Sequence, residues 1–168
     1  MAVLDDIRHR FIHADYSSRR ALASAEDEDA VQNWLAEQLQ LRAQGRYHVA
    51  REVEVADRNE PDIIVASTSA PCEVAIEVKH ANQGWTVRQL DHSLKKRLAT
   101  DYLRPASRRH GIFVVTLHKQ RMWRHPETNV PMSFDDLIDH LSDTASHLNM
   151  NTTGPIDVRV VGIDASSL

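Results

Sequence analysis

The chain has 168 residues, of which 42% are hydrophobic and 26% charged, with a net charge of −4 and a single cysteine. That length suits one domain with one sizeable core, and one cysteine excludes both an internal disulfide and a cysteine-built zinc site. No apolar stretch approaches the roughly 20 residues needed to span a bilayer. The opening MAVLDDIRHRF also lacks the apolar run of a signal peptide, so a cytoplasmic location without a membrane partner is expected.

The acidic total hides an uneven distribution. Residues 79–124 hold 11 of the 20 Lys and Arg but only 2 of the 24 Asp and Glu. A basic face on an acidic molecule is what phosphate binding requires, although charge runs are commonly no more than solvated helix surface.

Residues 1–24 are weakly patterned. Leu4, Ile7, Phe11 and Ile12 suggest a short helix before a polar Ser-Ser-Arg-Arg run, which reads as an extension or linker to a domain over 25–168. A helix is expected to open near Ser24, with Glu26, Asp27, Glu28 and Asp29 at its positive end and Val31, Trp34, Leu35 and Leu39 at helical spacing. Three strands follow, over 47–55, 62–67 and 72–79. In the last, Cys72, Val74, Ile76 and Val78 share one face and Glu73, Ala75, Glu77 and Lys79 the other.

A helix over 86–103 carries Val87, Leu90, Leu94 and Leu98 on one stripe and stops at Pro105. Residues 111–118 read as a buried strand, Ser133 as the N-cap of a helix, and 158–163 as a last strand. This order predicts an α/β fold: a central mixed sheet of about five strands flanked by helices.

The residues that carry chemistry lie on the second and third strands. Asp62 follows Pro61, and Glu77-Val78-Lys79 ends the next strand. In a hairpin the start of the first strand faces the end of the second, so Asp62 is expected to meet Glu77 and Lys79. Two converging carboxylates repel unless a cation lies between them. Mg²⁺, with Mn²⁺ as a substitute, is the expected ion, because it is hard and is held by one or two carboxylates plus water and phosphate. Lys79 is placed to orient a nucleophile or to stabilise charge on a phosphate, rather than to act as a base.

With Pro61-Asp62 and Glu77-Val78-Lys79 on neighbouring strands, the chain resembles the PD-(D/E)XK, restriction-endonuclease-like nucleases over roughly residues 26–118. The resemblance implies a divalent-metal-dependent endonuclease cleaving DNA in defence or repair. Asp62 and Glu77 would be metal ligands, Val78 (whose one oxygen is its backbone carbonyl) would join them, and Lys79 would assist hydrolysis. Many members add an acid from the first helix, which here would be Glu28. Several branches place a glutamine on the helix after the motif, which here would be Gln89. Those related to RecB also carry a tyrosine four residues beyond it; this chain has Ser93 there, and its nearest tyrosine is Tyr102.

Lys95, Lys96, Arg108 and Arg109, together with Lys119, Arg121 and Arg124, are the expected phosphate contacts. Trp85 and Trp123 are candidates to stack on bases, though a tryptophan more often packs. DNA is the expected partner with RNA as an alternative, and a homodimer or a targeting or activating protein is a further expected partner. The competing reading is a non-catalytic nucleic-acid- or protein-binding module of the same fold. Ten histidines form no closely spaced ligand set, and no phosphate-cradling glycine loop or nucleophile elbow is present.

Overall fold

The computed structural model describes residues 6, 18–51, 60–152 and 154–166. Leu4, Ile7, Phe11 and Ile12, and the expected strand residues beyond Arg51, lie outside the described residues. The elements run α1 (Ser18–Ala23), α2 (Glu28–Leu41), β1 (Tyr47–Arg51), β2 (Ile63–Ser67), β3 (Glu73–His80) and α3 (Val87–His92). A π-helical segment (Ser93–Tyr102) continues α3 and leads to β4 (His110–Leu117), a short hairpin of β5 (Trp123–Arg124) and β6 (Pro131–Met132), α4 (Phe134–Asn151) and β7 (Asp157–Asp164).

Five strands form one mixed sheet in the order β1-β2-β3-β4-β7. The β1–β2 and β2–β3 pairs are antiparallel, whereas β3–β4 and β4–β7 are parallel. The expected α/β architecture with a mixed five-stranded sheet is therefore present. Parallel neighbours need crossovers: α3 with the π-helical segment and α4 supply them and cover one face of the sheet, while α1 and α2, which precede β1, cover the other. Ala75, Phe113, Val115 and Leu117 pack against α3, the π-helical segment and α4. Ile63, Ile76, Val78, Ile112 and Val114 pack against α1 and α2, where Leu22 is fully buried. Alternation along β3 and β4 thus builds two cores, one on each side of the sheet. Among the described residues, no helix is long and apolar enough to cross a membrane.

Local chemistry sets the ends of the helices. Helix α2 begins at Glu28, four residues later than Ser24, because the Asp27 side chain accepts from the Ala30 N–H at 2.8 Å and acts as N-cap. Ser133 caps α4 as expected, and Asp136 reciprocates to complete a capping box. Gly162 on β7 admits α4 at close range: a Cβ there would lie 2.5 Å from Ile138 Cγ1.

Candidate active site

The β2–β3 hairpin brings the site together. Ile63 pairs with Ile76, and continuing that antiparallel register by one residue sets Asp62 across from Glu77. The Asp62 carboxylate accepts the Val78 N–H at 2.7 Å through Oδ2 and makes no other hydrogen bond among the described residues. Glu77 and Lys79 take the sheet face of Ala75, and both are buried, 0% and 2% exposed. Lys79 Nζ lies 3.0 Å from Glu77 Oε1 and donates to the Val78 carbonyl at 2.9 Å. Burial alone would lower the Lys79 pKa. The charges of Glu77, Glu28 and Asp62 outweigh it and hold Lys79 above its ordinary value, hence as an ammonium.

Glu77 is asymmetrically satisfied. Its Oε1 faces Lys79, Arg97 Nη1 at 3.3 Å and the Ser93 hydroxyl, which donates at 3.2 Å. Its Oε2 is buried and has no hydrogen-bond partner among the described residues. An unpartnered anionic oxygen away from water is among the costliest groups a fold can carry. Asp62 responds to the same crowding. Burial first, and then the Glu77 charge, push its carboxyl up to about 7, against the opposing pull of Lys79, the Val78 N–H and Arg97.

A hard divalent cation fits this donor set. It would take the free Glu77 Oε2 and the unused Asp62 oxygen, and the Val78 carbonyl retains a second lone pair. Among the described residues, no three His, Cys, Asp or Glu side chains gather as a metal cage. A Mg²⁺ site does not require one, because water and phosphate complete its shell.

Glu28, expected to be a metal ligand, is spent differently. From the first turn of α2 its Oε1 lies 3.3 Å from Lys79 Nζ, while Oε2 accepts from the His80 N–H at 3.1 Å and from Trp85 Nε1 at 2.9 Å. With three donors already on it, Glu28 is placed as a clamp on Lys79 and on the chain after β3. Trp85, a candidate to stack on bases, is drawn into the same cluster, with Lys79 Nζ 5.0 Å above its ring.

Gln89 also turns away from the site. Its Oε1 accepts from the Thr86 N–H at 2.9 Å and the Thr86 hydroxyl at 2.8 Å, completing a capping box at the start of α3. Ser93, four residues on and the first residue of the π-helical segment, reaches Glu77, as Arg97 does.

The expected phosphate contacts fall into three groups. Arg108 pairs with Glu73 at 2.9 Å, and Arg109 donates to the Leu103 carbonyl. Both lie just before β4, near the start of β3, about 13 Å along the strand from Glu77. Arg121 and Arg124 are tied to backbone carbonyls. Arg121 reaches Ala81 and Trp85 and lies over the Trp123 ring; Arg124 reaches Asn129. Lys96 pairs with Asp101 on the surface, leaving Lys95 and Lys119 as exposed ammoniums without an ion pair among the described residues. Trp123, the other stacking candidate, is buried at 4% exposure and donates to the Trp85 carbonyl, so it packs instead of stacking.

At the carboxyl ends of β3 and β4, His80 and His118 stack at 4.1 Å between ring centroids. Burial holds His118 down at about 4, so this ring is neutral at physiological pH. The pair borders an open cleft of about 810 Å³ that also reaches Lys119. No protein-family model, curated protein or solved structure matches the chain.

Proposed function

We propose that this protein is a divalent-metal-dependent nuclease that hydrolyses phosphodiester bonds in DNA, with Asp62 and Glu77 as metal ligands and Lys79 as the residue that organises attack. One observation carries this reading. Two buried carboxylates from adjacent strands crowd each other, and one of them keeps a buried oxygen without a hydrogen-bond partner among the described residues, beside a lysine held as an ammonium. A binding module has no need of that arrangement, which costs stability unless a cation fills it.

A bound cation supplies charge neutralisation at the phosphate and a water of lowered pKa. The chain's own residues do the rest. Asp62 is fixed by the Val78 N–H, so its free oxygen has one direction. Lys79 is locked between Glu77, Glu28 and the Val78 carbonyl, and offers positive charge without rotamer loss at the moment of reaction. Because it stays protonated, Lys79 orients the nucleophile and stabilises developing negative charge; it takes up no proton. The cleft bordered by His80 and His118, at the carboxyl ends of β3 and β4, gives a nucleic-acid strand room at the strand ends that follow the motif, with Lys119 available to its phosphates.

The test incubates supercoiled plasmid, linear duplex and labelled RNA with the full chain and Mg²⁺ or Mn²⁺. Asp62→Asn and Glu77→Gln, checked for native circular dichroism, serve as comparisons. Metal-dependent DNA cleavage lost in both variants is the expected result. DNA binding that survives EDTA and both substitutions, without cleavage, would mark a non-catalytic module, and cleavage confined to RNA would reassign the substrate.

A further inference from the structure

The π-helical segment places a second cation at the site. Ser93, Arg97 and Tyr102 are four and nine residues apart. In an α-helix nine residues make two and a half turns, which would put Tyr102 on the face opposite Ser93. With i→i+5 winding each turn takes more residues, so nine residues make roughly two turns, and all three side chains face Glu77. The contacts match: Ser93 donates to Glu77 Oε1, Arg97 Nη1 lies 3.3 Å from the same oxygen, and Arg97 Nε and Nη2 donate to the Tyr102 hydroxyl at 3.0 and 2.7 Å. A long π stretch is unusual and tends to mark functional positions.

Tyr102 is 2% exposed, whereas the Arg97 side chain is 40% exposed. One end of the pair is therefore anchored in the core while the other looks outward beside Glu77. Tyr102 takes two of the five guanidinium N–H groups; the other three make no hydrogen bond among the described residues, with Nη1 in ion-pair range of Glu77 Oε1. If Arg97 served only to neutralise Glu77, it would duplicate Lys79, which does so at shorter range and with less exposure.

We infer that Arg97 is a ligand for the substrate phosphate at this site and that Tyr102 is its positioning residue, brought to the same helix face by the π-helical winding. The inference rests on the nuclease reading and adds a residue to it. A planar fork with unspent donors is suited to two phosphate oxygens, and a lysine at the same place would not reproduce it. Tyr102 acts through Arg97, by fixing the plane and direction of the guanidinium.

The experiment compares wild type with Arg97→Ala, Arg97→Lys and Tyr102→Phe, using Arg46→Ala as a remote control. Two quantities are read: cleavage of a duplex in Mg²⁺, and the salt dependence of binding of a fluorescein-labelled duplex in Ca²⁺ by anisotropy. Arg97→Ala should lower cleavage by about 10²–10³-fold and flatten the salt slope by about one phosphate contact. Arg97→Lys should keep the slope but recover little of the rate. Tyr102→Phe should lower kcat by roughly tenfold with KM and the slope nearly unchanged, at a thermal melting temperature and an active-site titre close to wild type, which separate lost positioning from a lost folded fraction. Wild-type cleavage and salt slope in Arg97→Ala, alongside an inactive Asp62→Asn, would overturn this inference and leave the nuclease reading standing. If wild type cleaves nothing, that reading fails, and an unchanged slope in Arg97→Ala would then sink the phosphate contact as well.

Discussion

The Lys79 ammonium stands 3.0 Å from Glu77 Oε1, and both side chains are almost wholly removed from water. Neither charge would be tolerable alone at that depth, so each is a condition for the other. Lys79→Met would leave Glu77 and Glu28 facing each other without their shared partner. It should destabilise the fold by roughly 3–5 kcal/mol and abolish cleavage. Urea denaturation measures the first effect, and a stability loss well under 1 kcal/mol would show that the pair is not coupled as described.

The raised Asp62 pKa gives metal binding a pH signature. In the unfolded chain this carboxyl titrates near its ordinary value; in the folded protein it does so at about 7. Between those two values only the folded state holds the proton, so Asp62 makes the metal-free protein lose stability as pH rises through that window, and the loss is complete above it. His118, lowered to about 4, works in the opposite direction between about 4 and 6.5. The Asp62 part is therefore read as the difference between wild type and Asp62→Asn. At about pH 7.5, saturating Mg²⁺ should raise the wild-type Tm by roughly 3–8 °C, with a smaller rise at about pH 5.5 and none in the variant. An equal rise in both proteins would place the cation elsewhere.

Glu28 and Glu77 should separate by role. Glu28 is already committed to Lys79, the His80 N–H and Trp85, whereas Glu77 keeps an oxygen unpartnered among the described residues. In calorimetric titration with Mn²⁺, Glu77→Gln should lose at least about tenfold in affinity, the lower end of what metal-site residues cost. Glu28→Gln should stay within about twofold while cleavage falls. Equal losses of affinity would make Glu28 a ligand after all.

Gln89 offers a control for the capping assignment. Gln89→Ala removes half of a reciprocal cap at the start of α3 and should cost about 1 kcal/mol with cleavage unchanged. A large loss of activity at full stability would return Gln89 to the chemistry.

Much of the fold could be read in the sequence because its signals were local. The alternation in 72–79, the apolar run from Ile112 and the Ser133 cap each reflect a period or a hydrogen bond confined to a few residues. The Asp62–Glu77 juxtaposition followed from hairpin geometry alone. What escaped depended on context. Residues 93–102 have the apolar spacing of an α-helix, so nothing in the sequence indicated the wider winding that brings Arg97 and Tyr102 to Glu77. The β5 and β6 strands are two residues each, too short for any period to register. Counting basic residues also overstated the phosphate-binding surface. Arg108 and Arg121 are consumed by Glu73 and by backbone carbonyls that only the tertiary structure brings near.

The most direct measurement is an anomalous difference map from crystals of the full chain soaked in Mn²⁺ at about pH 7.5. One peak is expected, bound by Asp62 and by the Glu77 oxygen that Lys79, Arg97 and Ser93 leave free, with Lys79 still on the other. A map without density between those carboxylates, or with Lys79 bridging both, would contradict it.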